Sequence, residues 1–159
     1  MAIEIERKFL VKNDSFKAEA RSASTLIQGF LSTHKKRVVR IRVIDQKGYI
    51  TIKGKSSRDG LSRFEWEKEI PKKEAHLLLA IAEHPLIIKT RYRIPYGEHC
   101  FEVDVFDGEN KGLTVAEIEL QHEEDDFLIP AWLGEEVTGQ AKYYNAKLSK
   151  EPYRSWGKK

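Results

Sequence analysis

Full charges recur at every second position in segment after segment of this chain, and that spacing constrains its fold more than any other feature. In EIERKFL, residues 4–10, Glu4, Glu6 and Lys8 alternate with Ile5, Arg7 and Phe9. Side chains leave an extended strand on alternate faces, so the three charged groups stand side by side. Arg40 and Arg42 alternate with Val39, Ile41 and Val43, and Lys53 lies opposite Ile50 and Ile52. Glu65, Glu67 and Glu69 alternate with Phe64, Trp66 and Lys68, and Lys89, Arg91 and Arg93 with Ile88, Tyr92 and Ile94. Glu102 and Asp104, then Glu117 and Glu119, repeat the pattern against Phe101, Val103, Ala116 and Ile118.

Extended segments are expected over 2–10, 25–33, 36–45, 47–55, 60–71, 86–96, 100–107 and 113–121, with a turn at Asp45–Gly48 joining the third and fourth. A short helix follows the first segment, with Asp14 or Ser15 as its N-cap. Residues 72–85 form the clearest helix, closed by Pro85. The tail from Asp125 reads as mostly helical, broken at Pro130, with a last helix from Thr138 to Ser149. No low-complexity seam divides the chain, so residues 1–159 are expected to form one α+β domain with a mainly antiparallel sheet.

An antiparallel sheet with one wetted face also alternates. Two details point elsewhere. A merely solvated face carries many Thr, Ser, Asn and Gln, whereas these positions hold almost only full charges. The signs are also sorted by strand, and like charges two residues apart repel unless opposite charges or ligands lie across from them. Closing about eight strands into a barrel, apolar face outward under helices, supplies those neighbours and turns the charged face into a lumen. Arginine and lysine suit phosphate oxygens, and carboxylates suit Mg²⁺ or Mn²⁺. The ligand class is therefore a polyanion carrying divalent metal, such as linked phosphates.

Composition removes several other classes. With 28 Lys and Arg against 25 Asp and Glu, the net charge is +3, and no basic run marks a nucleic-acid binder. Cys100 is the single cysteine, which excludes an intramolecular disulfide and suits a reducing cytoplasm. The acidic start does not match a signal peptide, and no apolar run approaches the roughly 20 residues of a membrane span. A cytoplasmic, non-membrane protein is expected.

EIERK has the form ExExK, and the chain resembles the CYTH superfamily, also called triphosphate tunnel metalloenzymes. The resemblance runs in unbroken order through IQGFLS, VVRIRV, TIKGK, GLSRFEWE, IIKTRYRI, FEVDVFDGEN, VAEIEL and WLGEEVTGQAKYYNAKLS, from Ala2 to about Ser149. It implies an eight-stranded antiparallel closed β-barrel, a tunnel with helices packed outside, that binds triphosphate with Mg²⁺ or Mn²⁺. It further implies that Lys8, Arg40, Arg42, Lys53, Lys89 and Arg91 hold phosphate oxygens. Glu4, Glu6, Asp104, Glu117 and Glu119 would hold metal. Glu65 and Glu67 would complete an acidic strand with a metal or water-orienting role. Glu6, Lys89 and Glu65 are the candidates for direct catalytic work, Lys89 near the scissile end.

Phe30 stands where many relatives carry tyrosine, which removes a hydroxyl if that position faces the lumen. Arg93 and Glu69, near strand ends, are expected to face solvent. The five histidines, His34, His76, His84, His99 and His122, show no metal-ligand spacing. Trp66 and Trp132 are expected in the outer core, and Lys142, Tyr143, Tyr144 and Asn145 at one tunnel mouth. The resulting expectation is a metal-dependent triphosphatase acting on a small phosphorylated substrate, inorganic tripolyphosphate first. Class IV adenylate cyclase, thiamine triphosphatase and a non-catalytic polyphosphate-binding module are the alternatives, and a homodimer is compatible with the resemblance.

Overall fold

The alternating segments are realised as strands of one sheet in a computed structural model that describes residues 2–156, with side chains from residue 5 onward. They are β1 (Ala2–Val11), β2 (Ser22–Ser32), β3 (Arg37–Ile44), β4 (Lys47–Gly54), β5 (Ser62–Ile70), β6 (Ile87–Tyr96), β7 (His99–Phe106), β8 (Thr114–Glu119) and β9 (Leu133–Glu136). Helices α1 (Phe16–Glu19), α2 (Lys72–Ala80) and α3 (Asn145–Leu148) are short. No helix among the described residues is long and apolar enough to cross a membrane.

Every pairing is antiparallel, in the order β5-β4-β3-β2-β6-β7-β8-β1, and β1 closes the ring by pairing back onto β5. The eight-stranded barrel matches the expectation. The ninth strand does not: residues 133–136, placed in a helical tail by sequence, pair with the far half of β1, Phe9 opposite Glu136 and Val11 opposite Leu133. β1 thus shares one edge between two partners, β5 along residues 2–5 and β9 along 9–11.

The last helix is also shorter than expected. Gly139 takes a left-handed φ of 80°, which stops a helix from running on from Thr138. The Thr138 hydroxyl is spent on β1 instead, accepting the Lys8 backbone N–H at 2.9 Å. The tail is stitched to the strand that carries ExExK.

Three apolar clusters hold the barrel. Outside, Phe9, Phe16, Ile94, Phe101, Ile118 and Trp132 pack under α1 and the segment that follows β8. Also outside, Ile41 and Val43 pack against Ala75 and Leu79 of α2. Glycines permit that approach, since a Cβ at Gly48 would fall 2.6 Å from Ala75. The third cluster lies at one end of the barrel, where Phe30, Val38, Ile87, Phe106 and Val115 meet Val137, Tyr143 and Leu148 of the tail. The lumen is therefore not charged throughout. One end is an apolar collar stopped by the C-terminal segment. Trp132 is fully buried as expected, but Trp66 is 45% exposed, because no helix covers the outer face of β5.

Candidate active site

Register determines what meets what inside the barrel, because directly opposed residues in an antiparallel pair project to the same face. Arg42 pairs with Gln28 on β2 and Tyr49 on β4, Arg40 with Phe30 and Thr51, and Lys53 with Glu65 on β5. Arg91 pairs with Asp104 and Arg93 with Glu102 on β7. Lys8 pairs with Glu117 and Glu6 with Glu119 on β8. Read around the ring, β4, β3 and β6 form a basic wall with the uncharged β2 between β3 and β6, and β7, β8, β1 and β5 form an acidic one that includes the cations Lys8 and Arg63. A cavity of about 1310 Å³ separates them.

The walls are tied by ion pairs. Glu67 meets Arg42 at 3.3 Å and Arg40 at 3.7 Å, and its Oε1 also accepts the Thr51 hydroxyl at 2.7 Å. Lys53 lies 3.3 Å from Glu65, and Lys8 3.5 Å from Glu117. Burial alone would lower the Lys8 pKa, but Glu117 and Glu6 outweigh it and keep the ammonium charged. Arg42 has too little compensation. Burial, then the charges of Arg40 and Arg91, push it down to about 9 against the pull of Glu67.

Asp104, expected among the metal ligands, has both oxygens engaged elsewhere. Arg91 donates to them at 2.7 and 2.9 Å, and Lys89 approaches at 2.7 Å. Burial would raise the Asp104 pKa, but the Arg91 and Lys89 charges hold it well below the ordinary carboxylate range. Lys89 itself is fully buried, does not line the cavity, and donates to Asn145 of the tail at 3.4 Å. Burial is the largest influence on it and lowers its pKa from 10.5 to about 7.

That shift has a consequence for stability. Between pH 7 and 10.5 the unfolded chain carries a proton on Lys89 that the folded chain does not, so stability rises with pH across this window. Thermal melts from pH 7 to 9 should climb for the wild type relative to Lys89→Met. Parallel curves would show that Lys89 stays protonated in the fold.

The remaining carboxylates fit a hard divalent ion in their chemistry. Glu6 opposes Glu119 and Glu102 opposes Glu117 across strand pairs. Like charges so placed repel, and a cation or shared proton relieves them. Among the described residues no three such groups converge on one point, and the Glu4 side chain lies outside those described. Against its burial, Glu117 is held at a low pKa chiefly by the Lys8 charge.

Sequence reasoning missed two lumen groups, Thr51 and Gln28, and placed Tyr144 and Asn145 at one mouth. Thr51 shares the parity of Lys53 and was legible from it. Gln28 is wholly buried in the middle of the basic wall, and neither its amide nitrogen nor its oxygen has a hydrogen-bond partner. The tail adds Asn145 against Lys89 and Tyr144, whose ring lies 5.0 Å from the Lys8 ammonium. Phe30 does face the lumen and offers it no hydroxyl. Arg93 is exposed, as expected, and stands at the cavity rim 3.0 Å from Glu102.

The two ends differ in charge. At the collar end the cavity is rimmed by Lys35, Lys55, Lys147 and Lys150. At the other, Glu98, Glu119, Asp125 and Asp126 form the rim.

A closed antiparallel barrel whose lumen opposes a basic and an acidic wall defines a tunnel built for anions accompanied by cations. The chain belongs to the CYTH family, whose domain matches residues 2–153. This family carries a requirement for a divalent metal. The chain is 45% identical over 157 residues to the inorganic triphosphatase of Acetivibrio thermocellus, covering 98% of this chain and 99% of that one. It is 37% identical over 151 residues to the inorganic triphosphatase of Nitrosomonas europaea, covering 92% and 96% respectively. The crystal structure of the inorganic triphosphatase NE1496 superposes with a TM-score of 0.66 at 32% identity, covering 92% of this chain and 97% of that one.

Proposed function

We propose that this protein is a metal-dependent hydrolase that removes the terminal phosphate of a triphosphate, inorganic tripolyphosphate foremost. The observation that carries the reading is the opposition of the two walls across one cavity, which matches a polyanion on one side and its counter-cations on the other. The names of the two relatives support the same substrate class.

Arg40, Arg42, Lys53 and Arg91 bind and orient the phosphate oxygens from the basic wall, and Lys8 reaches them from the acidic wall. Positive charge fixed there before reaction stabilises the charge that spreads over the transferring phosphoryl oxygens. Glu6, Glu117 and Glu119, with Glu4, would hold Mg²⁺ or Mn²⁺, which when bound neutralises phosphate charge as a Lewis acid. Glu65, on the cavity wall beside Lys53, orients the attacking water, and Glu67 holds Arg40 and Arg42 in place. Asp104 becomes an anchor for Arg91 and Lys89 in this reading, and Lys89 supports the wall through its contacts with Asp104 and Asn145.

The test is phosphate release from tripolyphosphate, ATP and thiamine triphosphate with Mg²⁺, Mn²⁺ or EDTA, for the wild type and Glu6→Gln. Release from tripolyphosphate that EDTA and Glu6→Gln both abolish is expected. Cyclic AMP from ATP would replace the hydrolase with a cyclase, and tight triphosphate binding without release would leave a binding module.

A further inference from the structure

Gln28 is a neutral residue between the cationic strands β3 and β6. It lies on β2 directly opposite Arg42 of β3 and Ile87 of β6, with Lys89 two pairs further along the strand. Its amide offers two donors and an acceptor oxygen, has zero exposure, and makes no hydrogen bond. Buried amides are almost always satisfied, and an apolar side chain of the same volume would fill this space without cost. The neighbouring Arg42 has a matching gap. Its Nη2 is drawn to Glu67 at 3.3 Å, while its Nε–H, also buried, has no acceptor.

An anion in the cavity competes with Glu67 for the Arg42 guanidinium. Released from Glu67, the guanidinium needs a second fixed point, and the carbonyl oxygen of Gln28, in the directly opposed position, is the adjacent group able to accept Nε–H. We propose that Gln28 is a positioning residue that holds Arg42 in the loaded tunnel, so its amide is satisfied only when polyphosphate is bound. This inference rests on the triphosphatase reading of the site. It gives Arg42 two rest positions, Glu67 when the tunnel is empty and Gln28 when it is filled. The amide is then a strained feature of the empty protein that binding relieves.

The experiment compares wild type, Gln28→Met, Arg42→Lys and the double variant by thermal melting and by calorimetric titration with tripolyphosphate in EDTA, where turnover is stopped. Gln28→Met should raise the melting temperature of the empty protein by roughly 2–4 °C, because an unsatisfied amide is removed. It should also weaken tripolyphosphate about tenfold, and add nothing further in the Arg42→Lys background, where no guanidinium remains to be positioned. A lower melting temperature, unchanged tripolyphosphate affinity, or additive losses would each overturn the role, since a purely structural amide gives those results. A wild type that binds no tripolyphosphate would overturn the substrate reading together with it.

Discussion

Replacing Arg42 with alanine should cost two to three orders of magnitude in kcat/KM for tripolyphosphate while leaving the melting temperature unchanged or slightly raised. The two halves of this expectation have one cause. Arg42 is buried beside Arg40 and Arg91, and that crowding already lowers its pKa to about 9. Removing it relieves repulsion in the empty protein, and Glu67 keeps Arg40 and Thr51 as partners. With substrate bound the same charge is needed, and deleting one preorganised donor from such a site typically costs about 10² to 10³ in rate. Parallel measurement of melting and steady-state kinetics checks it. A variant that loses stability and activity together would mean that Arg42 serves the fold first.

Asp104→Ala should behave in the opposite way, destabilising the protein by about 3–5 kcal/mol. The aspartate is the shared anion for Lys89 and Arg91, both largely or wholly withdrawn from water. Without it the buried Arg91 guanidinium loses its two-pronged partner and Lys89 its carboxylate, and such a loss far exceeds that of a surface pair. Urea unfolding monitored by circular dichroism gives the difference. The contribution should also persist to acid pH, because a depressed carboxylate pKa means that stability is lost only as pH falls through the low folded value. A loss below about 1 kcal/mol, the range of surface pairs, would show that the two cations find other partners or shed their protons.

The barrel was legible because period-two alternation of charge survives in seven separate strands, and because sorting of sign by strand demands partners that closure provides. The basic wall was equally plain, since Arg40, Arg42, Lys53 and Arg91 keep one parity along their strands and line one cavity. What escaped was whatever depends on register. Asp104 looks like a metal ligand by parity, but its place opposite Arg91 commits it to an ion pair. Lys89 has the spacing of its neighbours and the same inward face, yet it is wholly buried against Asp104 and Asn145. The tail was misread because 133–136 is too short to show a period, and because Thr138 looks like an N-cap until β1 is there to receive it. Gln28 escaped because β2, an uncharged strand, has no charge alternation to mark its inward positions.

The lysine rim at one end of the tunnel and the acidic rim at the other make the potential change sign along the axis. Exposed charge of that kind biases approach from outside: a polyanion is favoured near the lysines and a free cation near the acids, although the C-terminal segment stops the lumen at the collar. The rims are exposed and the lumen is not, and mobile ions screen exposed charge over about 8 Å at physiological ionic strength. Rising salt therefore erases the direction of approach before it weakens the grip inside.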